Sequence, residues 1–177
     1  LVGKHTEDEV VDRIRQNHGL PFVTSAVAVT DALNALGASR IGIVSPYPTS
    51  LTEKSVVYWQ SRGFDVVEVS GAFNDDSQFH PIYSLSASSA DQALQLQRDK
   101  RLDAIVMLGT GMPTLAPIAS AAGWDGPPVM SCMLCLAWRT VQAVDGIAPN
   151  AKTVMHWVNG AHWSQRLLAD MQELAEK

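Results

Sequence analysis

The feature that most constrains the fold of this chain is the stretch 103–115, with the sequence DAIVMLGTGMPTL. Residues 104–108 form an apolar run as long as a buried strand, and Gly109 and Gly111 bracket a tight turn before a helix-prone segment. Strand, turn and helix in this order make half of a βαβ unit, and ligands of open α/β sheets bind at the carboxyl ends of the strands. Because glycine lets backbone N–H groups approach a ligand, the turn favours a small anion such as a carboxylate. Plain turn chemistry is the alternative interpretation.

Strand-like and helix-like segments alternate along the rest of the chain. The sequence predicts strands at 40–44, 64–69, 104–108, 129–131 and 153–158. It predicts helices at 6–18, 24–36, 50–61, 88–100, 113–122, 134–144 and 161–174. Capping boxes are predicted at Thr6–Glu9 and Ser50–Glu53, and residues 70–87 are predicted to form a long polar loop. The βαβα alternation predicts an α/β fold, a parallel sheet with helices on both faces.

Composition limits the class of protein. The chain has 177 residues, 46% of them hydrophobic and 18% charged, with a net charge of −5, which suits one globular α/β unit spanning 1–177. The mild acidity and the lack of a basic cluster argue against nucleic acid as a partner. No apolar run reaches the roughly 18 residues of a membrane-spanning helix, and no signal peptide is visible. With only Cys132 and Cys135, no disulfide framework is expected, so we predict a cytoplasmic protein.

Three predicted loops leave the carboxyl ends of strands, at 45–50, 109–112 and 131–133, and should share one edge of the sheet. Tyr47 is the most informative residue among them. It stands between Pro46 and Pro48, which hold the backbone extended and reduce the conformational freedom lost when a ligand binds. Its phenol offers a hydrogen-bond donor to an oxyanion. The alternative is a tyrosine that packs its ring on a helix.

Cys132 follows a predicted strand and precedes a helix. Because a helix N-terminus lowers the pKa of a thiol, Cys132 is a candidate nucleophile or base, while a buried structural cysteine is the more common case. Cys135 is expected to lie in the core. The spacing also resembles a redox or metal pair, but zinc would need distant histidine or aspartate ligands, so we predict no metal site.

Other polar residues offer weaker hypotheses. Asp75, Asp76 and His80 in the long loop could act as acids or bases, although acids in such loops are usually only solvated. His156 and His162 are six residues apart, which does not suit two ligands on one helix face.

Taken together, several motifs resemble the aspartate/glutamate racemase superfamily, in particular its maleate isomerase and arylmalonate decarboxylase branch. The resemblance covers most of residues 1–145. It rests on motifs that occur in the same order, namely Gly19–Pro21, the helix ending at Gly37, RIGIVSPY at 40–47, Thr114–Leu115, PVMS at 128–131 and Trp138.

The resemblance implies a Rossmann-like lobe of a two-lobed fold, a site between the lobes, and catalysis by one or two cysteines without a cofactor. It places Tyr47 on the tyrosine that holds the substrate carboxylate, and Thr110 and Gly111 on N–H donors of the same cradle. The position of the second cysteine is Gly109 here. The segment that carries the first cysteine in the family would precede this sequence.

The resemblance also suggests how the chain is organised. Residues 20–115 would form the second lobe and 116–177 would return to the first. Since the early strands of the family are absent from this sequence, we expect an N-terminal partner segment or chain, and a homo-oligomer.

The leading hypothesis is therefore a cofactor-independent isomerase or decarboxylase that acts on a small carboxylic acid with one thiol at most. Pro46, Tyr47, Gly109, Thr110 and Gly111 would bind the substrate, and Tyr47 and Cys132 are the catalytic candidates. One alternative is a carboxylate-binding or regulatory protein that lost catalysis with the cysteine at the position of Gly109. Another is a hydrolase that uses Cys132 with His80 or His156.

Overall fold

Four parallel strands form the sheet in the part of the chain that this computed structural model describes, residues 3–72, 85–160 and 163–167. Their order is β2-β1-β3-β4, and every neighbouring pair is parallel. The two central strands are almost fully buried, as expected for apolar runs covered on both faces. The strands are β1 (Arg40–Ser45), β2 (Asp65–Gly71), β3 (Ala104–Met107) and β4 (Val129–Ser131).

Helices flank this sheet, which confirms the predicted α/β class. Their bounds are α1 (Lys4–His18), α2 (Ser25–Leu36), α3 (Thr49–Ser61), α4 (Ala87–Gln95), α5 (Leu115–Ala121), α6 (Cys132–Val144) and α7 (Ala151–Val158). Helix α2 packs on α6 and α7, and α4 packs on α5. Among the described residues, no helix is long and apolar enough to cross a membrane.

The strand order places a topological switch point between β1 and β3. From β1 the chain crosses to β2 on one side, whereas from β3 it crosses to β4 on the other. Right-handed crossovers in opposite directions put the connecting helices on opposite faces, so the loops after β1 and β3 leave the sheet in opposite directions. Gly109 lies against Pro46 and Tyr47 at this switch point.

Two predicted capping boxes are wrong. Helix α1 begins after Gly3 without a side-chain cap, so Thr6 lies inside the helix, and the neighbouring Glu7 accepts a hydrogen bond from Thr24, the N-cap of α2. Helix α3 begins after Pro48, also without a side-chain cap. The Thr52 hydroxyl, an inner residue of the second predicted box, hydrogen-bonds the loop after β1. Both helices therefore begin before the residues that the local pattern predicted as caps.

The helix predicted at 88–100 is shorter and begins earlier. The Ser86 hydroxyl, rather than that of Ser88 or Ser89, caps α4 by accepting from the Ser89 N–H at 3.1 Å. The helix ends at Gln95, and turns replace the last predicted helical residues.

The predicted strand at 153–158 is wrong, because these residues belong to α7. The Asn150 side chain accepts a hydrogen bond from the Thr153 N–H at 3.0 Å and so caps a helix. Val154 and Val158 are four residues apart and both buried, which is the period of a helix face packed on α2 and α6. Packing here outweighs the β preference of the branched side chains.

Of the predicted closing helix at 161–174, residues 164–167 are helical and the others described do not extend it. His162, Asp75, Asp76 and His80 lie outside the described residues.

Candidate functional site

The loop after β1 is held rigidly by its own side chains. Ser45 is fully buried at the strand end, and its hydroxyl lies 2.7 Å from that of Thr52. The Tyr47 N–H donates to the Ser45 hydroxyl at 3.3 Å, and the Thr52 hydroxyl donates to the Tyr47 carbonyl at 3.1 Å. The buried Pro46 adds its fixed backbone angle. These contacts hold the backbone of Tyr47 at the switch point of the sheet.

Gly109 lies directly against this loop. Its φ is +82°, and a Cβ on it would lie 2.6 Å from Pro46 Cγ and 3.5 Å from the Tyr47 hydroxyl oxygen. Only glycine adopts that backbone and leaves that space without strain. The structure thus brings together Pro46, Tyr47 and Gly109, three of the residues singled out in the sequence.

Cys132 supplies a thiol to the same place from β4. It is the first residue of α6, whose N-cap Ser131 accepts from the Leu134 N–H at 3.2 Å. The backbone N–H of Gly109 hydrogen-bonds the Cys132 sulfur, and the residue is only 8% exposed. Burial raises the pKa of the Cys132 thiol to about 11 despite this hydrogen bond, so the thiol is protonated at neutral pH. Desolvation of the thiol therefore outweighs any lowering of its pKa by the helix N-terminus.

A cavity of about 160 Å³ lies beside Tyr47 and Cys132. Tyr47, Leu108, Cys132 and Ser25 lie in its wall, together with Glu7. Burial raises the pKa of the Tyr47 phenol, and the proximity of Cys132 raises it further, so the phenol stays a hydrogen-bond donor across the physiological range. The wall of the cavity therefore carries both a neutral phenol and a neutral thiol.

Behind the cavity, a buried ion network joins α1 to α3. Arg62 donates to Glu7 at 2.7 Å and to Asp8 at 2.6 Å, with its side chain 6% exposed. Tyr58 donates to Glu7 and accepts from Arg62 Nε, and Thr24 donates to Glu7. Burial by itself would raise the pKa of Glu7, but these hydrogen bonds outweigh it and hold the pKa below its usual value. Glu7 therefore places a charged carboxylate in the wall of the cavity, and the Arg62 guanidinium balances that charge.

This network was not predicted from the sequence. Glu7 and Arg62 are separated by 55 residues, and each reads locally as an ordinary solvated charge on a helix. No local spacing could have found it, because the pairing depends on how α1 docks against α3.

Other candidates do not join the site. Cys135 is fully enclosed in the core, as predicted, and burial raises its pKa well above the usual value. His156 is an exposed residue of α7, and no histidine lines the cavity that contains Cys132. Among the residues the structure describes, no cluster of three or more His, Cys, Asp or Glu side chains is arranged to hold a metal ion. Thr110 and Gly111 directly follow Gly109, and their part in the site stays a prediction.

Comparison with known proteins identifies the family. The profile of the family described as arylmalonate decarboxylase matches residues 2–155, which is most of the chain. The chain belongs to the arylmalonate decarboxylase family.

Curated relatives of this family member are maleate isomerases. The enzyme of Nocardia farcinica is 30% identical over 152 residues, covering 81% of this chain and 58% of the relative. The enzyme of Pseudomonas putida is 28% identical over 141 residues, covering 76% of this chain and 54% of the relative. The chain thus spans less than two thirds of the length of these relatives.

Solved structures show the same fold. Arylmalonate decarboxylase superposes with a TM-score of 0.69 at 20% identity, covering 81% of this chain and 63% of that one. A variant of the Pseudomonas putida maleate isomerase, solved with maleate, gives a TM-score of 0.68 at 25% identity, with coverages of 85% and 62%. A Nocardia farcinica maleate isomerase variant, which carries a covalently bound succinylcysteine intermediate, gives 0.67 at 22% identity. The predicted superfamily and the racemase-type fold are therefore confirmed.

Proposed function

We propose that this family member is, or forms part of, a cofactor-independent enzyme that isomerises or decarboxylates a small carboxylic acid. The observation that carries this proposal is the meeting of Tyr47, Gly109 and Cys132 at the switch point of the sheet, next to a cavity. Its relatives are named maleate isomerase and arylmalonate decarboxylase, which are enzymes of these two classes.

The substrate carboxylate would bind between the two loops. The neutral Tyr47 phenol donates one hydrogen bond, and the N–H groups of Thr110 and Gly111 are proposed to donate two more. Such donors are fixed before the reaction begins, and together they contribute several kcal/mol when negative charge grows on the carboxylate in an enediolate-like state. The cradle therefore stabilises the transition state more than the ground state.

Gly109 limits the reaction to one side of the substrate. Without a side chain at this position, the loop after β3 supplies no thiol. A symmetric racemisation with two thiol bases is thereby disfavoured. Decarboxylation with protonation from one face, or cis–trans isomerisation through one thiol, fits the remaining groups.

The test is turnover of aryl malonates, maleate and hydantoins by the purified protein, each with and without a chelator. We expect turnover of an aryl malonate or of maleate, unchanged by the chelator. Tight binding without turnover would instead support the carboxylate-binding alternative, which Gly109 motivates. Hydantoin cleavage alone would support the hydrolase.

Tyr47→Phe is expected to weaken catalysis without weakening the fold. Loss of a hydrogen bond to a charged oxygen should cost roughly 1–3 kcal/mol, or about 5- to 150-fold in kcat/KM. Because the Tyr47 contacts that hold the loop are made by its backbone, the melting temperature should stay close to that of the wild type. An unchanged kcat/KM would remove Tyr47 from the cradle.

The division of the chain into lobes is also a proposal. We propose that residues 20–115 belong to one lobe, that 116–177 return to the other, and that an additional N-terminal segment or chain completes the site in a homo-oligomer. The additional segment is supported by the coverage of less than two thirds of the relatives. Two free, buried cysteines support a reducing, cytoplasmic location.

A further inference from the structure

Cys132 is surrounded by a backbone donor, a phenol and a cavity. Its sulfur accepts a hydrogen bond from Gly109, the residue at which the family carries a thiol, and its side chain borders the same cavity as Tyr47. The sulfur and the phenol are close enough to influence each other electrostatically. Two strand ends thus deliver a phenol and a thiol to one cavity, and a third strand end supplies the backbone donor that contacts the thiol.

We propose that Cys132 is the proton donor of this site, and that its thiol replaces the one missing at Gly109. This inference rests on the proposed function and adds to it the source of the proton and the class of reaction. In an aryl malonate, the bond between the α carbon and one carboxylate breaks, CO2 leaves, and the electron pair remains as an enediolate. The S–H bond of Cys132 then breaks, its proton forms the new C–H bond, and solvent water later returns a proton to the sulfur.

The environment of Cys132 favours this role over that of a nucleophile. A nucleophile must be a thiolate, whereas the buried Cys132 is protonated at neutral pH. Once the proton has left, the Gly109 N–H and the N–H of Cys132 itself both stabilise the thiolate. The other titratable groups that border the cavity are Tyr47, Tyr58 and Glu7, and the Glu7 charge is compensated by Arg62. Protonation of a carbanion is therefore favoured over covalent addition to a double bond.

The experiment compares Cys132→Ala with Cys135→Ala. Both remove one buried thiol from α6, three residues apart, but only Cys132 borders the cavity. The measurements are kcat and KM for an aryl malonate in D2O, the α-deuterium content of the product, and the melting temperature. We expect Cys132→Ala to lower kcat by about 10²- to 10⁴-fold, the usual contribution of a general acid, with little change in KM. Cys135→Ala should keep the wild-type kcat.

A second measurement uses the wild-type protein, so its result does not depend on how well a variant folds. Alkylation of Cys132 by iodoacetamide should be slow at pH 7, should accelerate towards pH 11, and should be blocked by saturating malonate. If the Cys132→Ala variant kept the wild-type rate, or if malonate did not slow the labelling of Cys132, the role of Cys132 would be overturned. The proposed function would then still stand. No turnover of any small acid by the wild type would overturn the proposed function itself.

Discussion

Gly109→Cys is expected to lower activity and stability, although it restores a thiol at the family position. A side chain at φ +82° costs of order 1–3 kcal/mol. Its Cβ would also meet Pro46 Cγ at 2.6 Å, so the Pro46–Tyr47 loop must move. Because a misplacement of about 1 Å can cost 10²-fold in rate, kcat/KM should fall by at least about that factor. The measurements are kcat/KM and the melting temperature.

Gly37→Cys provides the matched control. Its φ is +67°, but nothing lies within 4 Å of a Cβ there, so it carries the backbone cost without the crowding. We expect it to lose stability in the same range and to keep its kcat/KM. A Gly109→Cys variant that gains racemase activity, or keeps wild-type kcat/KM, would show that Pro46 and Tyr47 do not occupy this space in the working protein.

Arg62→Met is expected to give the largest loss of stability. The substitution leaves the Glu7 carboxylate buried with its only ionic partner among the described residues removed. Breaking such a pair costs about 3–5 kcal/mol, even though the intact pair contributes little net stability. For a chain of this size, the melting temperature should fall by roughly 6–20 °C. Thermal and urea unfolding measure both quantities.

The effect of Arg62→Met should depend on pH in a defined direction. In the wild type the pKa of Glu7 is held below its usual 4.5, so its stabilisation is present above that pH and is lost as the pH falls through the folded-state value. In the variant, the unpaired Glu7 carboxylate takes up a proton at a higher pH than in the wild type. The difference in unfolding free energy between the two proteins should therefore narrow below about pH 4.5.

Arg40→Met is the control for Arg62→Met. Arg40 pairs with Asp65 at 3.5 Å, and both side chains are at least half exposed. An exposed pair contributes about 0–1 kcal/mol, so this variant should unfold close to the wild type. Equal losses from both substitutions would contradict the special role of the buried network.

The parallel sheet and the edge that bears the site were predictable from the sequence, because both follow from local patterns. The apolar run before Gly109 indicates a buried strand, and the prolines beside Tyr47 indicate a rigid loop at the next strand end. Parallel strands bring such loops to one edge whatever the details of packing. This rule about parallel strands was sufficient to predict that Pro46, Tyr47 and Gly109 lie close together.

The features that could not be predicted depend on contacts between distant segments. Glu7 has the local pattern of a solvated charge on a helix, yet it binds Tyr58 and Arg62. Residues 153–158 read as a strand, yet the Asn150 cap and burial against α2 make them helical. The pKa of Cys132 also depends on how completely neighbouring elements bury it, which a helix N-terminus alone does not reveal.

The most direct test of the site is a crystal structure of the protein with a bound aryl malonate or malonate. The account predicts one carboxylate with its oxygens about 3 Å from the Tyr47 hydroxyl and from the N–H groups of Thr110 and Gly111, with the α carbon facing Cys132. A carboxylate bound elsewhere, for instance in the larger groove lined by Met112, Leu115 and Trp157, with the Tyr47 hydroxyl unoccupied, would contradict it.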